Sequence, residues 1–433
     1  MMKPAMTTGA SMLALAMTAP LLAAPQDMDN NQSAVVQAGT DGRATVVQTG
    51  SENESKIEQD SQPALNPTNQ SNTPPVGNVA TVTQEGLKGY SSITQTGDNT
   101  ASVNQSAASA SMNSVIEQSY TGNNNNQTNQ ATVIQRGTGA GKDANPESTG
   151  FTGSSISQTG VNGYAYVVQD EGTLDAVSRI TQTGDNSRAK DAEVFQINGT
   201  PDSEIIQGGD RGQKAEVYQD GSHTSRIEQT FRNSTAGVRQ EGGEGNFSDI
   251  LQEGWFGNVG NPAINGNPIG TGDARIGVWQ IGNDNRSEID QDGRRITADV
   301  FQNGDENESY IDQNSPDRIN AANNQFDNNL QAFVEQVGFS NLSRIDQDDE
   351  ANSFGNTANV RQLGDEGEST VTQAGNTNTA NLLQGLESEF NISAITQGGS
   401  GNMANVNQYS DDNTSSVIQN GTAGMITVNQ GAP

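Results

Sequence analysis

The chain has 433 residues, with 52 Asp and Glu against 21 Lys and Arg, a net charge of −31 and no Cys. That balance excludes a nucleic-acid-binding surface, which needs clustered cations, and the missing Cys excludes disulfides as the source of rigidity. With 31% hydrophobic residues and a mean hydropathy of −0.69, an irregular chain would stay unfolded, so only a repeat whose units share one thin core can fold here.

Residues 1–23 read as a secretory signal peptide. Lys3 gives the positive start, an apolar run from Ala10 to Ala24 includes Leu13, Leu15, Leu21 and Leu22, and Pro25 favours cleavage after Ala23. The run is short against the ~20 residues of a spanning helix. A short segment, 24–32, leads into a repetitive region over 33–433.

That region is built on x-x-Gln units, shown most plainly from Ser287 to Gln313. Ser287-x-Ile289-x-Gln291, Ala298-x-Val300-x-Gln302 and Ser309-x-Ile311-x-Gln313 place three Gln eleven residues apart. Positions i, i+2 and i+4 of a strand share one face, β-branched Ile and Val suit a pleated surface, and Gly304 with Asn307 is turn chemistry. Thirty such units run from Gln37 to Gln430. Two residues before each Gln stands Val or Ile, with Leu382 the one exception. Four before it, Ser and Ala alternate, except that Ile276 and Ile426 stand where Ala is expected.

The alternation makes the true repeat two strands. The expected fold is all-β: a two-sheet parallel β-solenoid of about fifteen two-strand rungs with amyloid-like stacking, Ser on Ser in one sheet and Ala on Ala in the other. At about 4.8 Å per rung it would be roughly 70 Å long. Buried Gln without partners would be costly, so the series is expected to form amide ladders, through Gln48, Gln95, Gln169, Gln219, Gln291, Gln302, Gln313, Gln373, Gln408 and Gln419 among others. Insertions near 60–79, 136–153, 253–275 and 314–331 are expected to be loops, the first and third being rich in Pro, which cannot serve the ladder. All but the one after Gln135 fall between a Ser strand and the next Ala strand.

The residue before each Gln is expected to point outward. On Ser strands it is often acidic, as at Glu58, Glu117, Glu228, Asp290, Asp312 and Asp346. On central Ala strands it is often apolar, and Phe195, Tyr218, Trp279 and Phe301 form a candidate contact stripe, read either as ordinary strand propensity or as a surface for lateral association or adhesion.

The unit Gln-x-Gly-x-x-Asn-x-Ala-x-Val-x-Gln resembles the curlin repeat of curli subunits. Gln397, Gly399, Asn402, Ala404, Val406 and Gln408 match it fully; Gln373, Gly375, Asn378, Ala380 and Gln384 match it with Leu382 at the apolar position. The resemblance covers nearly all of the chain after the signal segment. It implies a secreted subunit of extracellular amyloid fibres on a bacterial surface, serving adhesion and biofilm matrix. The implied partners are further copies of itself, a nucleating curlin-like subunit and an outer-membrane export machinery. The chain departs from a typical curlin in its many repeats, its long insertions, and residues such as Gly42, Gly89, Gly163 and Ile296 where the motif has Asn. It also shows no evident export-targeting segment between signal and first repeat.

No catalytic constellation or cofactor motif is found. His223, the only His, is read as a surface residue in a turn, and Gly242-Gly243 as turn rather than phosphate cradle. Asp348, Asp349 and Glu350 could bind Ca²⁺ weakly, but the nonapeptide pattern of calcium β-rolls is absent. An enzyme is disfavoured because the long loops lack a basic cluster. The alternative to a fibre subunit is a monomeric β-solenoid adhesin presenting a flat face to polysaccharide, mineral or ice. The first strand begins at Ser33 and the last ends at Gln430, and neither end has an obvious capping helix or charged atypical repeat, which favours the fibre.

Overall fold

The computed structural model describes residues 31–431 except 40–41, 62–76, 98, 107–111, 120–127, 137–151, 171, 185–189, 210–211, 231–233, 254–257, 260–276, 293–295, 315–329, 349–354 and 387. The signal segment, most of 24–32, most of each expected insertion, and Asp349 and Glu350 lie outside the described residues.

Every described unit folds as strand, turn, strand, and strands two apart in sequence pair in parallel. Ser33 lies beside Ser55, Ala44 beside Ala80, and Gln291 beside Gln313. The same register continues to Ser393 beside Ser415 and Gln408 beside Gln430. The result is a parallel β-solenoid of fifteen rungs, each with one strand in a Ser sheet and one in an Ala sheet. We number the rungs from the N-terminus: rung 1 ends in Gln37 and Gln48, rung 15 in Gln419 and Gln430. The strands Lys214–Gln229 and Thr235–Gln252 run unbroken round the turn and serve both sheets.

The core is one continuous column. Ile57, Ile93, Ile116 and Ile156 on the Ser side and Ala80, Val82, Ala101 and Val103 on the Ala side are at most 1% exposed. Each buried Ile or Val contributes about 1.5–3 kcal/mol, and the alternation of buried and half-exposed residues follows the strand period of two.

The turns explain the Gly and Asn of the repeat. Gly304 has φ +130°, and a Cβ there would meet the Gly338 carbonyl oxygen at 2.0 Å, so successive turns stack too closely for any side chain. Two residues later the chain again takes positive φ, at Glu306, Ser340 and Glu366, where a side chain costs roughly 1 kcal/mol. Asn braces this conformation. Asn307 Oδ1 accepts from the Asn341 amide at 3.2 Å, and Asn307 Nδ2 donates to the Gly338 carbonyl at 2.9 Å.

One boundary differs from expectation. The insertion expected after Gln252 is not all loop: Asn258–Val259 within it is a strand. Asn258 and Val259 pair with Thr235 and Ala236, and the strand resumes at Val278, opposite Val238. Val259 thus stands at the Ala register beside Ala236, while Ile276 lies outside the described residues. The spacing signal did not register Asn258–Val259 as strand because the pair lies more than twenty residues before Gln280, outside any Gln-anchored unit.

Candidate assembly interface

The Gln residues form two unbroken ladders. In the Ser sheet every amide from Gln37 to Gln397 donates through Nε2 to Oε1 of the next rung, at 2.6–3.0 Å. In the Ala sheet the same holds from Gln48 to Gln408, at 2.7–3.2 Å. Of the ten Gln named from sequence, all lie in these ladders, and all but Gln48, which lies in the first rung, are buried. The remaining amide hydrogen does work that sequence reasoning missed. Gln59 Nε2 donates across the core to the Arg43 carbonyl at 3.1 Å, Gln95 to that of Val79 at 3.2 Å, and Gln302 to that of Arg286 at 3.0 Å. Each of these Gln thus satisfies its own ladder and ties the two sheets together. The Ser hydroxyls are less regular: those of Ser287, Ser309 and Ser343 have no protein partner, whereas Ser114 donates to Gln135 Oε1 at 2.8 Å and Ser393 bonds Ser415 at 2.9 Å, so small size is what the series shares.

The ladders are interrupted only at the two ends of the solenoid. Gln32–Gly39 pairs only with Glu54–Ser61, Arg43–Ser51 only with Val79–Leu87, Thr414–Thr422 only with Ile392–Ser400, and Met425–Gln430 only with Met403–Gln408 among the described residues. Core positions are open there: Val35 is 46% exposed, whereas Ile57, one rung in, is fully buried. Because all amides point one way, the N-terminal end presents Oε1 of Gln37 and Gln48, and the C-terminal end Nε2 of Gln419 and Gln430, with no partner amide among the described residues. Around them lie exposed Val36, Val47, Ile418 and Met425.

The outer faces carry the charge. On the Ser sheet Arg226 bridges Glu204 at 3.3 Å and Asp249 at 3.5 Å on the flanking rungs, an alternation of sign that sequence reading did not register. Two rungs beyond Arg226 the acidic column Asp290, Asp312 and Asp346 begins, all in one register. Partial burial pushes all three carboxyls above the ordinary range, and so do their neighbours: Asp312 acts on Asp290, and Asp348 on Asp312 and Asp346.

On the Ala sheet the expected stripe lies in one register, with Phe195 beside Tyr218 and Trp279 beside Phe301. Arg239 stands between the two pairs. Its guanidinium lies 5.0 Å from the Tyr218 ring centre and 5.5 Å from that of Trp279, and it pairs with Glu241. Trp279 meets Phe301 edge-on at 5.2 Å. The rings are half-buried against one another, so this column is packed along the stack rather than open to solvent.

His223 is not a surface residue. It is 2% exposed, because it takes the Asn place in the turn between Gln219 and Ser225 and so points inward. Nε2 donates to the Asp220 carbonyl at 3.0 Å, and Nδ1 has no partner. Burial lowers its pKa, against the opposing effect of the Asp220 carbonyl bond and the Asp220 and Glu244 charges.

Among the described residues, no three or more His, Cys, Asp or Glu are grouped to hold a metal ion, and no helix is long and apolar enough to cross a membrane. No protein-family model and no curated protein sequence matches the chain.

Proposed function

We propose that the protein is a secreted structural subunit of a curli-like functional amyloid, which polymerises by adding rung 1 of one copy to rung 15 of another and serves as adhesive matrix outside a bacterial cell. The observation that carries this reading is the pair of open ends, where two Gln ladders, two parallel strand edges and a cross-section of the apolar core all stop with no further rung over them among the described residues. Exposed strand edges of this kind are templates for pairing. Charge placement supports it as well. The outward strand residues of rungs 14 and 15, such as Ala394, Asn405, Ser416 and Thr427, include no ionisable group in a chain of net charge −31. Export, a nucleating subunit and a surface location come from the resemblance to curlin repeats and belong to the same proposal.

The test is the behaviour of the purified protein lacking residues 1–23. It should convert from monomer to thioflavin-positive fibres whose diffraction has the cross-β spacings of about 4.8 and 10 Å. Protein that stays monomeric at high concentration would instead support a solenoid adhesin.

A further inference from the structure

Outward-facing strand residues divide the Ala sheet into zones of charge. In rungs 2 to 4 this face shows Thr81, Thr83, Ser102, Asn104, Thr132 and Ile134, with Glu85, near the end of its strand, the one charged residue among its outward strand positions. In rungs 13 to 15 it shows Asn381, Leu383, Asn405, Asn407, Thr427 and Asn429, with none. Between them lie Glu193, Glu216, Arg239, Asp299 and Glu335. The Ser sheet has no matching pattern, since Glu54, Lys56 and Glu58 charge its second rung and Glu368 its thirteenth.

Seen in one copy, the two nearly neutral zones are far apart. If rung 15 continues into rung 1 of the next copy, they merge across the joint into one strip of seven rungs, about 34 Å long at the parallel-strand spacing, with Arg43 and Glu85, of opposite sign, its only outward strand charges. Resting on that axial stacking, we propose that this joint-spanning strip is the surface through which two fibres associate side by side, and that its occupant is the same strip on a second fibre of this chain.

Charge selects the partner. Two chains of net charge −31 repel at close range, and contact within the ~8 Å screening length of physiological salt is least costly through surface of little net charge. The strip is also ordered for such a contact. Asn381 Nδ2 donates to Asn405 Oδ1 at 2.9 Å, and Asn407 Nδ2 to Asn429 Oδ1 at 2.7 Å, so the amides form flat rows along the axis. Flat rows of identical short side chains are what a dry sheet-to-sheet zipper requires. Met403 and Met425, 36% and 71% exposed, add apolar surface at its border. Because only the Ala sheet carries the strip, association satisfies it in pairs and does not build wider bundles.

The test compares Asn381→Asp with Asn405→Asp, made together, against Thr370→Asp with Ala394→Asp on the Ser sheet of the same rungs. Stacked outward Asp is tolerated by this fold at Asp290, Asp312 and Asp346, so both variants should fold and elongate from seeds as wild type does. Fibre width is read by negative-stain electron microscopy at low and high salt. Wild type and the Ser-sheet variant should form paired fibres, and the Ala-sheet variant single fibres that pair only at high salt. Equal pairing in all three proteins overturns the proposal, as do wild-type fibres that stay single. It is equally overturned if the Ala-sheet variant pairs normally but loses retention on insoluble cellulose, for then the strip binds polysaccharide. Failure of wild type to elongate from seeds would be seen separately, in the seeded assay, and would remove the axial stacking and this strip together.

Discussion

Gln302 shows how much rests on single residues. Its Nε2 is shared among Gln336 Oε1 at 2.8 Å and the carbonyls of Arg286 and Asn307 at 3.0 and 2.9 Å, while its Oε1 accepts from Gln280. Gln302→Leu keeps the bulk but orphans both neighbouring amides, and each orphaned buried group costs about 1–3 kcal/mol. We expect a loss of about 3 kcal/mol, read as faster hydrogen exchange and protease cleavage in rungs 9 to 11, whereas Asp290→Ala, on the outer face, should be neutral or stabilising. Equal tolerance of the two changes would contradict the inward amide ladder. His223 makes a second prediction. Its lowered pKa means that the fold favours the neutral ring, so the stability it permits is complete above the unfolded value near 6.5 and falls as pH drops through the lower folded value. His223→Asn restores the residue that the turn carries elsewhere, and should abolish any extra exchange of Lys214–Gln229 at pH 5 relative to pH 7.

At the scale of the strand, what repeats in sequence was legible and what compensates for a broken repeat was not. The Ser and Ala alternation carried the two-sheet arrangement because registers stack like on like, and Gln at every fourth strand position after Ser or Ala had no affordable place except a ladder. Arg239 within the aromatic column, and the Arg226 pairs with Glu204 and Asp249, were missed. Those contacts join residues some twenty to forty apart that carry no common motif, and they emerge only once rungs are laid over one another. His223 was misread for the opposite reason: it stands in a recognisable turn, but at the inward Asn place. The acidic ladder gives the prediction for this scale. The pKa values of Asp290, Asp312 and Asp346 are raised, so their protonated forms suit the fold, and the stability this confers is complete below the usual carboxylate pKa and lost as pH rises through the raised values. Changing all three to Asn should therefore stabilise rungs 10 to 12 at pH 7 and make little difference at pH 3, as measured by denaturant unfolding at the two pH values.

For the whole molecule, the proposed assembly extends between chains the physics that holds the rungs together within one. Each rung is held by its two neighbours, so the two terminal rungs are each half-satisfied, and the most direct completion is another rung of the same kind. The charge of −31 opposes that approach, so assembly should quicken with added salt or near pH 4, where carboxylates begin to neutralise. Head-to-tail order follows from the one-way amides, since acceptors at Gln37 and Gln48 would meet donors at Gln419 and Gln430. The most direct measurement is seeded elongation of protein carrying a folded capping domain fused at both ends, followed beside the uncapped protein. The account predicts that uncapped protein elongates and doubly capped protein does not; elongation of the capped protein at the uncapped rate would contradict growth through the solenoid ends.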